Sequence, residues 1–232
     1  MRRLVVDVSA AQGARLDIHG FLAADVVGAY VESTVGNDGP NPHYQTQVQQ
    51  FRDAGIAVGA YLFAYPLPNA TGHVNRDPRG QALLFYNDSG GLGDQAGELP
   101  PMLDSEWPPP KEWAQWSVTQ ATIASWLDAC AEDIDGLWNR TCGIYTDGGG
   151  FWKPLGGAVL QPSFAARKLW FAEYPLDTPR SDVPTDAPAP LPPWTEPPLL
   201  WQFTDKFAIG ESLYNMSVFL GTDADWDAIL AA

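Results

Sequence analysis

The stretch Leu99-Pro-Pro-Met-Leu-Asp-Ser-Glu-Trp107 sets two carboxylates, Asp104 and Glu106, two residues apart behind a short apolar run. On a β-strand, side chains two apart share a face. Such a pair can divide labour. One carboxyl stays protonated and gives its proton to a leaving oxygen. The other stays ionised and meets the positive charge that develops at carbon. That is the chemistry of cutting a glycosidic bond. The spacing is also common among plain surface carboxylates. The rest of the chain must therefore supply a cleft and a surface for sugars.

Short apolar runs alternate with amphipathic stretches. Segments 4–8, 26–33, 56–63, 101–106, 142–146, 169–172 and 199–203 read as strands. Segments 44–53 and 79–86 read as helices, the first ended by Ala54-Gly55. Ser117 and Gln120 form a capping-box pattern before a helix with Ile123, Leu127, Cys130, Ile134 and Leu137 along one stripe. Trp138, at the end of that stripe, reads as core. The last patterned segment runs from Thr222 to Leu230. Strand–helix alternation predicts a parallel sheet. Helical patterns fade in the last third, where residues 177–198 are Pro-rich and read as an extended loop. The expected fold class is α/β, an irregular TIM-like barrel, with residues 1–232 as one domain.

In a parallel barrel, reactive side chains sit at the C-terminal ends of strands. Asp7, Asp104, Glu106 and Asp225 all fall at or near such ends. So do Tyr61, Phe63, Tyr65, Trp107, Tyr145, Tyr174 and Gln202, which are the candidate substrate-binding residues. Aromatic faces stack on the C–H faces of pyranose rings, and carboxylates and amides bond the hydroxyls. Each aromatic has core packing as its competing explanation.

Composition narrows the classes. With 13 basic and 28 acidic residues the formal charge is −15, spread along the chain rather than gathered in a tail. That disfavours nucleic acid and anionic lipid as partners. Cys130 and Cys142 make no framework and read as buried free thiols, a single disulfide being the other option. His19, His43 and His73 are scattered, and no zinc-ligand spacing occurs, so no metal or other cofactor is expected. The apolar run after Met1-Arg-Arg stops at Asp7, too soon for a signal peptide, and no segment approaches a membrane span.

The residues resemble those of the glycoside hydrolase family 25 lysozymes, the muramidases of bacteria and phages. Val6-Asp-Val-Ser-Ala-Ala-Gln-Gly13 resembles the family's opening strand. Ala54-Gly-Ile-Ala-Val-Gly-Ala-Tyr-Leu-Phe63 resembles its AGxxVGAYHF strand, and Leu99 to Glu106 its LPPVLDVE strand. Gly143-Ile-Tyr-Thr146, Leu169-Trp-Phe-Ala-Glu-Tyr174 and Leu200-Trp-Gln-Phe-Thr-Asp205 follow in the family's order, and Asp225-Trp-Asp227 resembles its closing DLN. The resemblance implies an α/β barrel that cleaves the β-1,4 bond between N-acetylmuramic acid and N-acetylglucosamine in bacterial peptidoglycan, with retention. It gives Glu106 the place of the general acid and Asp104 that of its partner carboxylate. It gives Asp7 and Asp225 the places of the two other acidic residues, with Asp223 as the competitor of Asp225.

Three departures stand out. The family's Lys-Ala-Thr-Glu-Gly is Glu32-Ser-Thr-Val-Gly36 here, changing both charged positions. The family's strand histidine is Leu62, which removes a polar contact. Ser105 stands inside the carboxylate motif and is expected to face away from Glu106. Two other classes of function stay open: a module that binds peptidoglycan without cutting it, and a structural part of a phage or injection particle. The substrate lies outside the cytoplasmic membrane, so release by a holin or a phage-like particle is the expected route to it.

Overall fold

The computed structural model describes residues 2–36, 39–66, 77–156 and 162–231. Eight strands close into a barrel in chain order: β1 (Leu4–Val8), β2 (Val26–Val35), β3 (Ala57–Phe63), β4 (Met102–Asp104), β5 (Gly143–Asp147), β6 (Leu169–Ala172), β7 (Leu200–Ile209) and β8 (Ser212–Phe219). Strands β1 to β7 pair in parallel. Strand β8 runs antiparallel to both β7 and β1 and closes the ring. The expected α/β barrel is present.

Helices α1 (Ile18–Ala23), α2 (Tyr44–Asp53), α3 (Pro78–Ser89) and α4 (Gln120–Trp138) carry the first four crossovers. Between β5 and β6 the described residues form a π-helical turn (Gly148–Trp152) and the short helices α5 (Lys153–Leu155) and α6 (Pro162–Ala165). Residues 177–198 form the expected extended loop, pinned by an isolated bridge from Arg180 to Phe207. Helix α4 starts two residues later than the pattern suggested. Thr119 caps it, with Thr122 answering, and Ser117 lies outside the helix at φ 54°. Trp138 is core, its indole donating to the Leu92 carbonyl at 3.0 Å. Cys130 and Cys142 are buried free thiols.

Period-two alternation builds two layers. Val6, Val31, Leu62, Leu103, Ile144, Phe171 and Phe203 point outward and pack under the helices. Val5, Tyr30, Tyr61, Met102, Tyr145, Trp170, Leu200 and Phe219 fill the barrel. A side chain on Gly59 would put its Cβ 2.5 Å from the Tyr30 ring, so glycine there is what lets that ring lie across the interior. The segment 222–230, expected as the end of a site-bearing strand, is helix α7 (Asp223–Leu230). Its Trp226 and Ile229 plug the N-terminal end of the barrel, with Trp226 edge-on to Phe219 at 5.2 Å.

Candidate active site

The barrel interior changes character along each strand. Two residues on from a core apolar or aromatic residue stands one that meets the cavity. Val5 is followed by Asp7, Tyr30 by Glu32, Tyr61 by Phe63, and Met102 by Asp104, while on β7 Leu200 is followed by the buried Gln202 behind Asp7. Strand β8, running the other way, passes from Asn215 through Ser217 to Phe219. The packed end is greasy and the C-terminal mouth is acidic. A cavity of about 170 Å³ opens there, lined by Asp7, Glu32, Asp104, Glu106, Tyr61 and Trp170 among others. Among the described residues lining it there is no lysine, arginine or histidine.

Asp7 is buried and held from two sides. Gln202 donates to it from Nε2 and Asn215 from Nδ2, each at 2.8 Å. The Gln202 carbonyl oxygen in turn accepts from the hydroxyls of Tyr145 at 3.0 Å and Tyr174 at 2.6 Å. Two tyrosines thus fix an amide, and the amide fixes a carboxylate. Trp170 forms the floor, stacked on Tyr30 with centroids 4.9 Å apart, its indole donating to Ser217.

Asp104 ends β4, flanked in register by Phe63 and Tyr145. It is 6% exposed, and its Oδ1 has no partner. Strand β4 stops there, so Glu106 lies just beyond it rather than on it. It nevertheless reaches the cavity, because Ser105 extends the ladder by one bond, its N–H donating to the Tyr145 carbonyl at 2.8 Å. Burial, above all, pushes the Glu106 carboxyl up to about 7, with Asp147 and Asp7 adding repulsion. Asp104 is held well above the usual range by burial and then by Glu106 and Asp7. Burial raises Asp7 to about 6 against its two hydrogen bonds.

These shifts tie stability to pH. A carboxyl whose folded pKa is raised favours the fold while protonated. Its contribution is full below the unfolded value and is lost as pH climbs through the folded one. For Asp7 and Glu106 the ordinary values are 3.8 and 4.5, and the folded ones about 6 and about 7. The melting temperature is expected to rise as pH falls from about 8 to about 5. Glu106→Gln should flatten part of that slope in a thermal-unfolding series, and an unchanged slope would contradict the burial described here.

The aromatic candidates separate into groups. Tyr61 and Phe63 line the small cavity with the carboxylates. Tyr65 and Trp107 pack on each other at 4.4 Å, and Trp107 meets Trp116 at 5.9 Å, making an aromatic row beside Glu106. Tyr145 and Tyr174 line a second cavity of about 440 Å³, which also includes Glu106, Asp147, the Gly148-Gly149-Gly150 turn and Lys153. Glu106 and Tyr145 are common to both cavities, so the two join into one groove with Glu106 at the junction.

Two candidates change role. Gln202 is 1% exposed and both ends of its amide are occupied, so it positions Asp7 instead of binding substrate. Asp225 is not at the mouth. It is the third residue of α7, where its carboxylate accepts from the Thr222 N–H at 2.8 Å and the Thr222 hydroxyl at 2.7 Å. It caps a helix at the opposite end of the barrel. Asp223 does not replace it, being paired with Arg3 on that same end. The β8 residue that reaches Asp7 is Asn215. Leu62 faces the helices, so the missing strand histidine leaves the mouth unchanged. Residues absent from the candidate set are Glu32, Trp170, Asn215 and Asp147. The unusual Glu32 was itself a signal, as a carboxyl standing where the resembling family has lysine. Asp225→Asn is expected to weaken the cap slightly, read by denaturant unfolding, and to leave activity at the wild-type level. A large loss of activity without unfolding would return Asp225 to the site.

Known structures share this architecture. A muramidase from Acremonium alcalophilum superposes with a TM-score of 0.77 at 23% identity, covering 99% of each chain. A lysozyme from Streptomyces coelicolor gives 0.77 at 22%, covering 99% of this chain and 97% of that one. The catalytic domain of endolysin ply40, from bacteriophage P40 of Listeria monocytogenes, gives 0.72 at 19%, covering 100% and 98%. At such identities the likeness establishes the fold. In sequence, Lysozyme M1 of Streptomyces globisporus is 24% identical over 205 residues, or 88% of this chain; the aligned region spans 63% of that relative's length. The profile of the glycosyl hydrolases family 25 matches residues 6–212, which takes in Asp7, Glu32, Asp104, Glu106 and Gln202. Barrel, carboxylate mouth and a profile match over most of the chain agree: this protein belongs to glycosyl hydrolase family 25.

Proposed function

We propose that the chain is a muramidase, a single catalytic domain that cuts the β-1,4 bond between N-acetylmuramic acid and N-acetylglucosamine in bacterial peptidoglycan with retention of configuration. The observation that carries this reading is the pair Asp104 and Glu106 at one mouth. One is buried with a free oxygen, and the other lies at the junction of two cavities with its pKa raised to about 7.

Asp104 and Glu106 repel each other and keep at least one proton between them at neutral pH. In the working complex that proton sits on Glu106. A substrate group that donates to the Asp104 carboxylate stabilises its ionised form and so moves the proton to Glu106. Glu106 then protonates the leaving glycosidic oxygen as the C1–O bond breaks. Asp104 meets the charge at C1. It does so by attacking C1, or by accepting from the N–H of the sugar's own acetamide while that group closes on C1. Either route displaces twice at C1 and retains configuration. Glu106, now ionised, takes a proton from the incoming water. Asp7, locked by Gln202 and Asn215, adds fixed negative charge beneath the reacting ring. The aromatic row and the tyrosines of the second cavity supply faces for the flanking sugars.

Among the described residues no helix is long and apolar enough to cross a membrane. Delivery to the wall by a holin or a phage-like particle belongs to this proposal, and its endolysin-like fold is consistent with that route. The test is mass analysis of muropeptides after digestion of purified walls. Reducing N-acetylmuramic acid ends are expected. Reducing N-acetylglucosamine ends, or intact walls after incubation with folded protein, would refute the reading.

A further inference from the structure

The small cavity is short of hydrogen-bond donors. Four carboxyls line it: Asp7, Glu32, Asp104 and Glu106. Apart from the Tyr61 hydroxyl, which also lines the cavity, the nearby donors are largely spent. Asn215 and Gln202 both serve Asp7, Trp170 serves Ser217, and the Tyr145 hydroxyl serves Gln202. Asp104 also lines this space; it is 6% exposed, and its buried Oδ1 has nothing to accept from. An occupant that satisfies the mouth must donate at several points and bring few acceptors of its own. An acetamide offers one N–H and adds a carbonyl oxygen. A free ammonium offers three donors, no acceptor and the opposite charge.

We propose that this mouth takes glycan in which an amino-sugar ring at or next to the cut carries a free 2-ammonium group, with Glu32 as the carboxylate that selects it. The inference rests on the muramidase reading and narrows its substrate to de-N-acetylated peptidoglycan. Glu32 is placed for this on β2, in register with Tyr61 and two residues beyond the barrel-filling Tyr30. The backbone N–H of Ala10, in the one-turn helix capped by Ser9, lies on the Glu32 side of the mouth and favours its ionised form. Burial and then Asp7 hold the carboxyl of Glu32 up, a repulsion that a bound cation relieves. The charges that raise Glu106 are Asp147 and Asp7, on other strands. A cation met by Glu32 therefore neutralises the β2 side of the mouth and leaves the proton on Glu106.

The test compares two forms of the same sacculi, one fully N-acetylated with acetic anhydride, one treated with a peptidoglycan deacetylase. The wild type is expected to cut the deacetylated form faster, with product masses showing a free amine within one ring of the cut. Glu32→Gln should lower the ratio of the two rates about tenfold, as loss of a charge-assisted hydrogen bond does. Glu32→Asp should keep part of the preference. Asp186→Asn, an exposed carboxylate outside the groove, should keep all of it and so separates Glu32 from the general acidity of the surface. A wild type that prefers acetylated walls, or a ratio unmoved by Glu32→Gln, overturns the inference and leaves the muramidase reading standing. Cutting of neither form counts against the muramidase reading. Calorimetry with glucosamine and N-acetylglucosamine tetramers then decides the inference on binding alone. A preference for the former that Glu32→Gln abolishes upholds it, and equal affinities overturn it.

Discussion

Glu106→Gln is expected to slow wall clearance by about 10²–10⁴-fold while the protein stays folded. The amide keeps the shape of the side chain at the junction of the two cavities but has no proton to give. Burial, which holds the acid form of Glu106 ready, favours a neutral amide equally. The variant should therefore melt no lower than the wild type at pH 7, and above the folded pKa of about 7 it should melt higher. The measurement is turbidity decay of purified walls beside a thermal scan of the same sample. Clearance at the wild-type rate by the folded variant would remove Glu106 from the chemistry.

The second large effect belongs to Asp104. Asp104→Asn should lower kcat by about 10²–10³-fold, the scale on which loss of one preorganised charge partner acts. It should also stabilise the protein. The wild-type carboxyl is buried among like charges with one oxygen unsatisfied. An amide there brings donors that the neighbouring carboxylates can accept. Activity and stability thus move in opposite directions, the signature of a group kept for function at the expense of the fold. Single-turnover rates on isolated glycan chains and unfolding midpoints at one pH would check both. A variant with lower kcat and lower stability together would mark Asp104 as a structural residue.

The parallel part of the barrel was legible in the sequence because its strands are apolar on both faces and cut off by glycines and prolines. Residues 4–8, 44–53 and 169–172 fall where their patterns put them. The carboxylate mouth was legible for the same reason, since a strand's C-terminal end can be read once the strand is found. Strand β8 was not. It alternates Tyr214, Met216 and Val218 outward with Asn215 and Ser217 inward, and its inward polar residues hide a buried strand from any hydropathy run. The next segment mimics the closing acidic motif, with the letters Asp225-Trp-Asp227 set in a helix. The family profile also ends at residue 212, where β8 begins, and so gives no register along that strand. Gln202 looked like a ligand for sugar because nothing in the sequence says that Asp7 needs it. That dependence exists only once β8 has brought β1 and β7 to its two sides.

The antiparallel closure by β8 bears on how the enzyme comes into being. Strand β1 completes the ring only by pairing with a strand about two hundred residues away in sequence, Asp7 lying opposite Asn215. Bringing such distant ends together is the most entropically demanding loop closure in the chain, and topologies dominated by distant contacts fold slowly. The bonds that fix Asp7 come from β8, which makes this seam with β1, and from β7 just behind it. The joint that closes the ring is therefore also the one that holds Asp7 at the mouth, so loosening the β1–β8 seam would free that carboxylate as well as open the barrel.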